Sequence, residues 1–362
     1  MDNYTVIEKN VSDLKAFKHL LAKDVYTHNN ILIAKKGSLL SSNILRHLKL
    51  QDIDTVFIKV SNLKDPANKS SDMAKDRIDI DTINKFETIY LNHSNQIQNQ
   101  FYKLAESAST ELSKLKTESM VEEIIKTLKN STDIFNYLTL IQSSDDITFN
   151  HCLNVSIICH IFGKLLGLSD LDAEMLSTAG LLHDIGKNKI PKHILDKQEP
   201  LTPQELQMVK NHVIYSFDII KHYPLPESVK MGVLMHHERL DGSGYVSGID
   251  KDEIHEFAKI IAIVDIYDAM THHRPYRNHM LVLDALDYIK NNAIIKLDYV
   301  YATKFIDFVL RGLIGSIVRL NNNKTGKIIH TDKKNIYRPL IEVDETIIDL
   351  SSRPDLKIVE LY

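Results

Sequence analysis

Five histidines and two aspartates recur between residues 151 and 265: His151, His183, Asp184, His212, His236, His237 and Asp265. Each stands beside apolar residues, where a solvated polar side chain would be out of place. His183 and Asp184 follow AGLL and precede IGK, at the end of an apolar helical segment. Asp265 lies inside IIAIVDIYDAM, with isoleucine and valine on both sides. A buried carboxylate is costly unless it is paired or bound to a metal. His151 shares a helical face with Val155 and Ile158, which points its imidazole inward. Singly, each residue has a plainer reading, a hydrogen-bonded core histidine or an aspartate paired with an arginine. Together they point to metal chemistry. Imidazole nitrogen and carboxylate oxygen suit iron, manganese, zinc or nickel, and the lack of cysteine ligands argues against structural zinc or an iron–sulfur cluster. Seven donors exceed one tetrahedral ion and suit two ions sharing a carboxylate. Two metals about 3.5–4 Å apart activate a water and clamp the oxygens of an in-line phosphoryl displacement. The adjacent histidines of HHERLDGSGYVSG can serve neighbouring ions. The glycines that follow supply the φ freedom to fold the chain back over them.

The elements that must hold these donors read as successive helices over residues 145–312. They are NHCLNVSIICHIFGKLLGL, EMLSTAGLLHDIG, TPQELQMVKNHVIYSFDIIKHY, PESVKMGVLMHHERL, FAKIIAIVDIYDAMT and LVLDALDYIKNN. Thr202 and Glu205 form a capping box, with Pro203 at the first helical position. The expected fold class is therefore mainly α, a helical bundle with a small α+β module in front and a small β appendage behind. The module covers residues 1–62, a polar linker 63–80, a helical connector 81–142, the bundle 143–312 and the β appendage 313–362. In the connector, Phe86, Tyr90, Ile97, Phe101, Leu104, Ala108, Leu112 and Leu115 form an apolar stripe at helical spacing. It is either a packing face within the chain or the seam of a homodimer.

Composition bounds the rest. The chain has 362 residues, 43% of them hydrophobic and 25% charged, enough for a large core. Its formal charge of −4 provides no basic field for a nucleic acid polymer. No signal-like start or long uncharged apolar run occurs, so no membrane insertion and a cytoplasmic location are expected. Cys152 and Cys159 lie about 10 Å apart along one helix, too far for a disulfide. Phosphate-binding glycine loops and paired-cysteine zinc motifs are absent.

HDIGK at 183–187, HHERLDGSGY at 236–245 and RPYR at 274–277 resemble the HD-GYP family of cyclic di-GMP phosphodiesterases, within the HD metal-dependent phosphohydrolases. The resemblance runs from about Asp145 to Asn292. It implies that His151, His183, Asp184, His212, His236, His237 and Asp265 are metal ligands, with Asp184 the bridge, for two divalent ions, iron or manganese first and zinc or nickel next. It implies that Asp184 and Lys187 carry the catalysis. Lys187 would sit by the scissile phosphate, Arg274 and Arg277 would hold ligand phosphates, and Tyr245 would contact the nucleotide. Without the motif, ordinary surface charge and loop packing would be the readings for these last four.

The sequence departs from the family at three places. Val246 replaces the proline of Gly-Tyr-Pro, which removes a fixed φ from the loop. Ile147 stands where some members carry a third-metal glutamate, so two metals are expected. THHRPYR adds His272 and His273, read as solvent-facing, and Glu238 is read as a support behind the ligands at most. The activity implied is hydrolysis of cyclic di-GMP to pGpG or GMP. The alternatives are a slow or inactive cyclic di-GMP sensor that acts through signalling partner proteins, and the same centre acting on another cyclic dinucleotide or nucleotide phosphate.

Overall fold

The computed structural model describes residues 4–14, 19–26, 32–34, 40, 44–45, 48–49, 51, 53–61, 80–106, 117–128, 130, 133–140, 147–197, 199–271 and 281–361. These fall into two compact units, one within residues 1–88 and 140–144, the other within 89–139 and 145–362. Residues 63–79 of the expected 63–80 linker, the stripe residues Ala108, Leu112 and Leu115, and His272, His273, Arg274 and Arg277 lie outside the described residues.

In the first unit, β1 (Tyr4–Asn10) pairs antiparallel with β5 (Thr55–Ser61), Ile7 opposite Ile58, and β2 (Leu20–Leu21) pairs with the other edge of β5. Between them β3 (Val25–Tyr26) and β4 (Leu32–Ala34) form a two-stranded ribbon. Leu21, Leu40, Leu48, Val56 and Ile58 are almost fully buried and form its core with Val11 and Leu14.

The second unit is dominated by helices. After α1 (Ile80–Glu106, of which residues 89–106 belong to this unit), α2 (Thr117–Ile125) and α3 (Ile134–Leu140, all but its last residue in this unit) come α4 (Ile147–Leu166), α5 (Asp170–Leu182), a 3-10 turn (Ile185–Lys189) and α6 (Lys192–Leu195). The bundle continues with α7 (Pro203–Lys210), α8 (His212–Ile220), α9 (Glu227–Met235), α10 (Glu256–Thr271), α11 (Val282–Asn292) and α12 (Tyr299–Gly312). Helix α4 packs on α5 and α10, and α9 packs on α5, α8 and α10, so the ends of several helices are drawn to one place. Phe162 of α4 meets Phe305 and Phe308 of α12 at 5.2 and 6.0 Å between ring centroids, and Phe135 and Tyr267 complete this aromatic core. The stripe residues Phe86, Tyr90, Ile97, Phe101 and Leu104 are buried within the single chain. Both cysteines are free and buried.

Two details depart from the expected segmentation. The long helix expected from Thr202 breaks at Asn211 into α7 and α8. The His212 imidazole donates from Nδ1 to the Val209 carbonyl at 2.7 Å across this break. The capping box at the start of α7 is present, with Thr202 N–H donating to Glu205 Oε2 at 2.7 Å and Glu205 N–H to Thr202 Oγ1 at 3.2 Å. Helix α12 was not separated in the sequence, although Asp298 caps it by accepting from the N–H groups of Val300 and Tyr301. The C-terminal segment forms a five-stranded antiparallel sheet in the order β10-β6-β7-β8-β9. Its strands are β6 (Ile317–Leu320), β7 (Thr325–His330), β8 (Leu340–Val343), β9 (Thr346–Asp349) and β10 (Ile358–Leu361). Its inward residues Val318, Leu320, Ile328 and Ile341 are fully buried.

Candidate metal centre

Three of the histidines sit just beyond the last turn of a helix. His183 and His236 follow α5 and α9 by one residue, whereas His212 comes two residues after α7 and opens α8. A helix end leaves its last carbonyls without intrahelical donors. Each imidazole supplies one: Nδ1 of His183 donates to Gly180 O, that of His212 to Val209 O and that of His236 to Val233 O, all at 2.7 Å. A carbonyl only accepts, so Nδ1 carries the proton in all three rings. Nε2 is then the free donor atom, turned away from its own helix. At His183 and His236 the negative end of a helix dipole lies beside the ring, which favours a cation. His151, one turn into α4, does it differently: its Nδ1 meets Asp268 Oδ2 at 2.7 Å.

These choices bring all seven sequence-selected residues into one buried cluster. His151, His183 and Asp265 form one group of potential ligand atoms within 4.8 Å of one another. His212, His236 and His237 form a second, and His183, Asp184 and His236 a third that joins them. The Asp184 carboxylate faces both sides. Its Oδ2 lies 3.4 Å from His183 Nε2 and 3.6 Å from His151 Nε2, while its Oδ1 lies 3.1 Å from His212 Nε2. Asp265 Oδ1 is 3.1 Å from His151 Nε2, and its Oδ2 is 4.0 Å from His237 Nδ1.

The polar atoms at the centre are not satisfied by protein. Among the described residues, Nε2 of His183, His212 and His236 and Oδ1 of Asp184 are buried without a hydrogen-bond partner. With the proton fixed on Nδ1, His212 Nε2 and Asp184 Oδ1 are two acceptors facing each other at 3.1 Å. Buried acceptors in such contact are unfavourable unless a cation lies between them. The donor set therefore fits divalent transition metals, with nitrogen and carboxylate ligands, their outer nitrogens already held, and no thiolate.

Charge balance in the protein alone shows the same demand. Burial opposes an ionised Asp184, but Lys187 foremost and then His183 hold its carboxyl well below the usual range. The Lys187 ammonium donates directly to Asp184 Oδ2 from the adjoining 3-10 turn. Burial also opposes a charged His151, yet the carboxylates of Asp265 and Asp268 override it and push the imidazole up to about 9. Burial lowers His237 to about 3 and holds His236, crowded by His237, His183 and His212, well below the usual imidazole range. His236 and His237 therefore present neutral rings.

Two glycines permit the approach of these elements. A Cβ on Gly186 would meet His212 O at 2.1 Å and Ser216 N at 2.4 Å, so only glycine lets the 3-10 turn press the Asp184 segment against the start of α8. Gly186 N–H donates to Ser216 Oγ at 2.8 Å across the same contact. A Cβ on Gly244 would meet Arg239 N and Glu238 Cα at 2.5 Å, so the loop lies against the backbone after the paired histidines. The Glu238 carboxylate, nearly fully buried, accepts from Ser247 N–H at 2.7 Å and from Gly248 N–H at 3.1 Å. Tyr245 stacks on the His237 ring at 4.7 Å between centroids, and Lys210 sits 5.1 Å above the tyrosine ring. The loop that lost its proline at Val246 is held by these contacts instead.

Asp268, Lys210 and the anchoring role of Glu238 escaped the sequence reading. Asp268 had a signal. It lies three residues after Asp265 in the same apolar run, and the burial argument applies equally to both.

A protein-family model described as HD domain matches residues 101–299, over half of the chain. The chain is 28% identical over 226 residues to a cyclic di-GMP phosphodiesterase of Pseudomonas aeruginosa, covering 62% of this chain and 54% of that one. It is 36% identical over 154 residues to a 3'3'-cGAMP-specific phosphodiesterase of Vibrio cholerae, covering 42% and 33%. It is 35% identical over 150 residues to a cyclic di-GMP phosphodiesterase of Thermotoga maritima, covering 40% of each. The matched part thus spans between a third and about half of these relatives' length. Among solved structures, an HDG"Y"P protein from Bdellovibrio bacteriovorus superposes with a TM-score of 0.53 at 16% identity, covering 84% of this chain and 99% of that one, which shows a shared fold.

Proposed function

The chain belongs to the HD domain family, and from that membership and its converging buried donors we propose that it is a metal-dependent phosphodiesterase hydrolysing a cyclic dinucleotide. The observation that carries this reading is the set of buried, unsatisfied acceptor atoms on His183, Asp184, His212 and His236. His151, His183 and Asp265 would hold one ion and His212, His236 and His237 the other, with Asp184 between them. Bound there, two divalent ions supply an activated water and neutralise charge at the phosphorus.

The protein's own residues do the rest. The Nδ1–carbonyl and Nδ1–Asp268 bonds keep the Nε2 donor atoms turned inward, so the site is preorganised. Lys187, on Asp184, is part-exposed at 23%. Its ammonium would stabilise charge developing on a phosphate oxygen of a substrate held beside that carboxylate. Tyr245, fixed against His237, offers a ring edge and hydroxyl to the nucleotide, and Lys210 adds positive charge beside it. Arg274 and Arg277, outside the described residues, remain the proposed phosphate-holding pair.

Cyclic di-GMP is the first substrate to test, because the Pseudomonas and Thermotoga relatives are named for it. A second reading, 3'3'-cGAMP, is favoured by the Vibrio relative. Incubation of manganese- or iron-loaded protein with each dinucleotide, followed by chromatography, separates them. Turnover of either, abolished in Asp184→Asn, supports the enzyme. Tight binding without product from either favours the sensor. The linear dinucleotide or mononucleotide product is read in the same traces.

A further inference from the structure

Four imidazoles in this centre have an identifiable partner on Nδ1, and three of those partners are backbone carbonyls. The fourth is a carboxylate. Asp268 lies on α10, fully buried, one turn beyond Asp265, with its Oδ2 2.7 Å from His151 Nδ1. A carboxylate behind a ligating histidine fixes ring orientation and raises the basicity of the nitrogen that faces the metal, more than a neutral carbonyl does.

The two halves of the centre also differ in negative charge. Around His151 and His183 stand Asp265 Oδ1 at 3.1 and 3.9 Å, Asp184 Oδ2 at 3.6 and 3.4 Å, and Asp268 behind. Around His212, His236 and His237, among the described residues, stand the far oxygens of the shared aspartates, Asp184 Oδ1 at 3.1 Å and Asp265 Oδ2 at 4.0 Å, and no ion pair with a carboxylate outside these two.

We propose that Asp268 is a positioning residue that locks His151 as an Nε2 ligand and makes the His151–His183–Asp265 position the tighter of two unequal metal positions. The inference rests on the dinuclear reading above. It assigns the first ion to be lost on chelation to the His212–His236–His237 side.

The test is titration of metal-free protein with Mn²⁺ alone, followed by calorimetry and by the electron paramagnetic resonance of free and bound manganese. Wild type should bind in two resolved steps. Asp268→Ala should weaken the tighter step by about 10–100-fold, the range for losing such a support, and leave the weaker step in place. Asp268→Asn keeps an acceptor for Nδ1–H without the charge and should lie between the two. His212→Ala should weaken the other step instead. Equal loss in both steps, loss confined to the weaker step, or no change in Asp268→Ala would overturn the proposal, as would two equal steps in wild type. Thermal melting of the metal-free variants reports folding. If Asp268→Ala does not fold, Asp268→Asn decides by the same criteria. A wild-type protein that binds no manganese would instead sink the dinuclear reading itself.

Discussion

Replacing Gly186 with alanine tests whether the HD turn and α8 are built as one unit. The added methyl would sit 2.1 Å from His212 O and 2.4 Å from Ser216 N, both backbone atoms of a buried helix start. Ordinary contact begins at 3.4 Å. The two segments must therefore part by about 1.3 Å (3.4 − 2.1), and neither can yield by rotating a side chain. Alanine in place of glycine would by itself gain about 0.4–1 kcal/mol through the unfolded chain. Overpacking of a tight interior costs typically about 1–3 kcal/mol. The overlap here is backbone on backbone and also stretches the Gly186 N–H bond to Ser216 Oγ, so the upper end applies and the net effect is destabilising by about 2 kcal/mol. For a domain of this size that lowers the melting temperature by about 4–8 °C. The functional effect should be larger than the thermal one. Metal sites tolerate displacements of only about 0.2 Å, and the separation moves His212 away from Asp184, which it now faces at 3.1 Å. The metal content of Gly186→Ala, measured after dialysis, should fall from two to one per chain. A variant that melts with wild type and keeps both ions would refute the close approach and with it the argument for how Asp184 is shared.

Lys187→Met should keep both metals and lower turnover by about 100-fold, the usual loss for one group stabilising developing charge; unchanged turnover would remove Lys187 from the chemistry. Glu238→Ala leaves the N–H groups of Ser247 and Gly248 without their acceptor and should cost about 1–3 kcal/mol. Its loop should become sensitive to limited proteolysis between residues 241 and 248 and its KM should rise more than kcat falls. The stability of the metal-free protein should peak near pH 6.5, as read from urea unfolding at pH 5, 6.5 and 8.5. His237, at about 3, and His236 bind protons less readily folded than unfolded, so their contribution is lost as pH falls below about 6.5. His151, raised to about 9, works the other way and loses its contribution as pH rises from about 6.5 through 9. A monotonic profile over that range would contradict these assignments.

How much of this was legible in the sequence follows from what each signal measures. Polar residues embedded in apolar runs report burial, and that found the seven residues the structure gathers, because an inward carboxylate or imidazole needs a partner wherever it lands. The same logic covered Asp268, yet a run such as IIAIVDIYDAM does not say which aspartate faces the centre and which faces the back of a histidine 117 residues earlier. The break at Asn211 was hidden because VKNHVIYSF keeps helical spacing through it. At the break the His212 side chain takes the Val209 carbonyl, a contact with no periodicity. The 242–248 loop carried a turn signal in its glycines, but its anchoring by Glu238 and its contacts with His237 and Lys210 depend on tertiary approach. In the C-terminal sheet, TIID of β9, only four residues long and mostly exposed, lacks a buried face to mark it in the sequence.

The most direct test of the dinuclear claim is anomalous diffraction from crystals of the full chain soaked or grown with Mn²⁺, collected at the manganese edge. The account predicts two peaks, one among His151, His183 and Asp265, the other among His212, His236 and His237, with Asp184 within ligand distance of both. A single peak or none at these donors would contradict it.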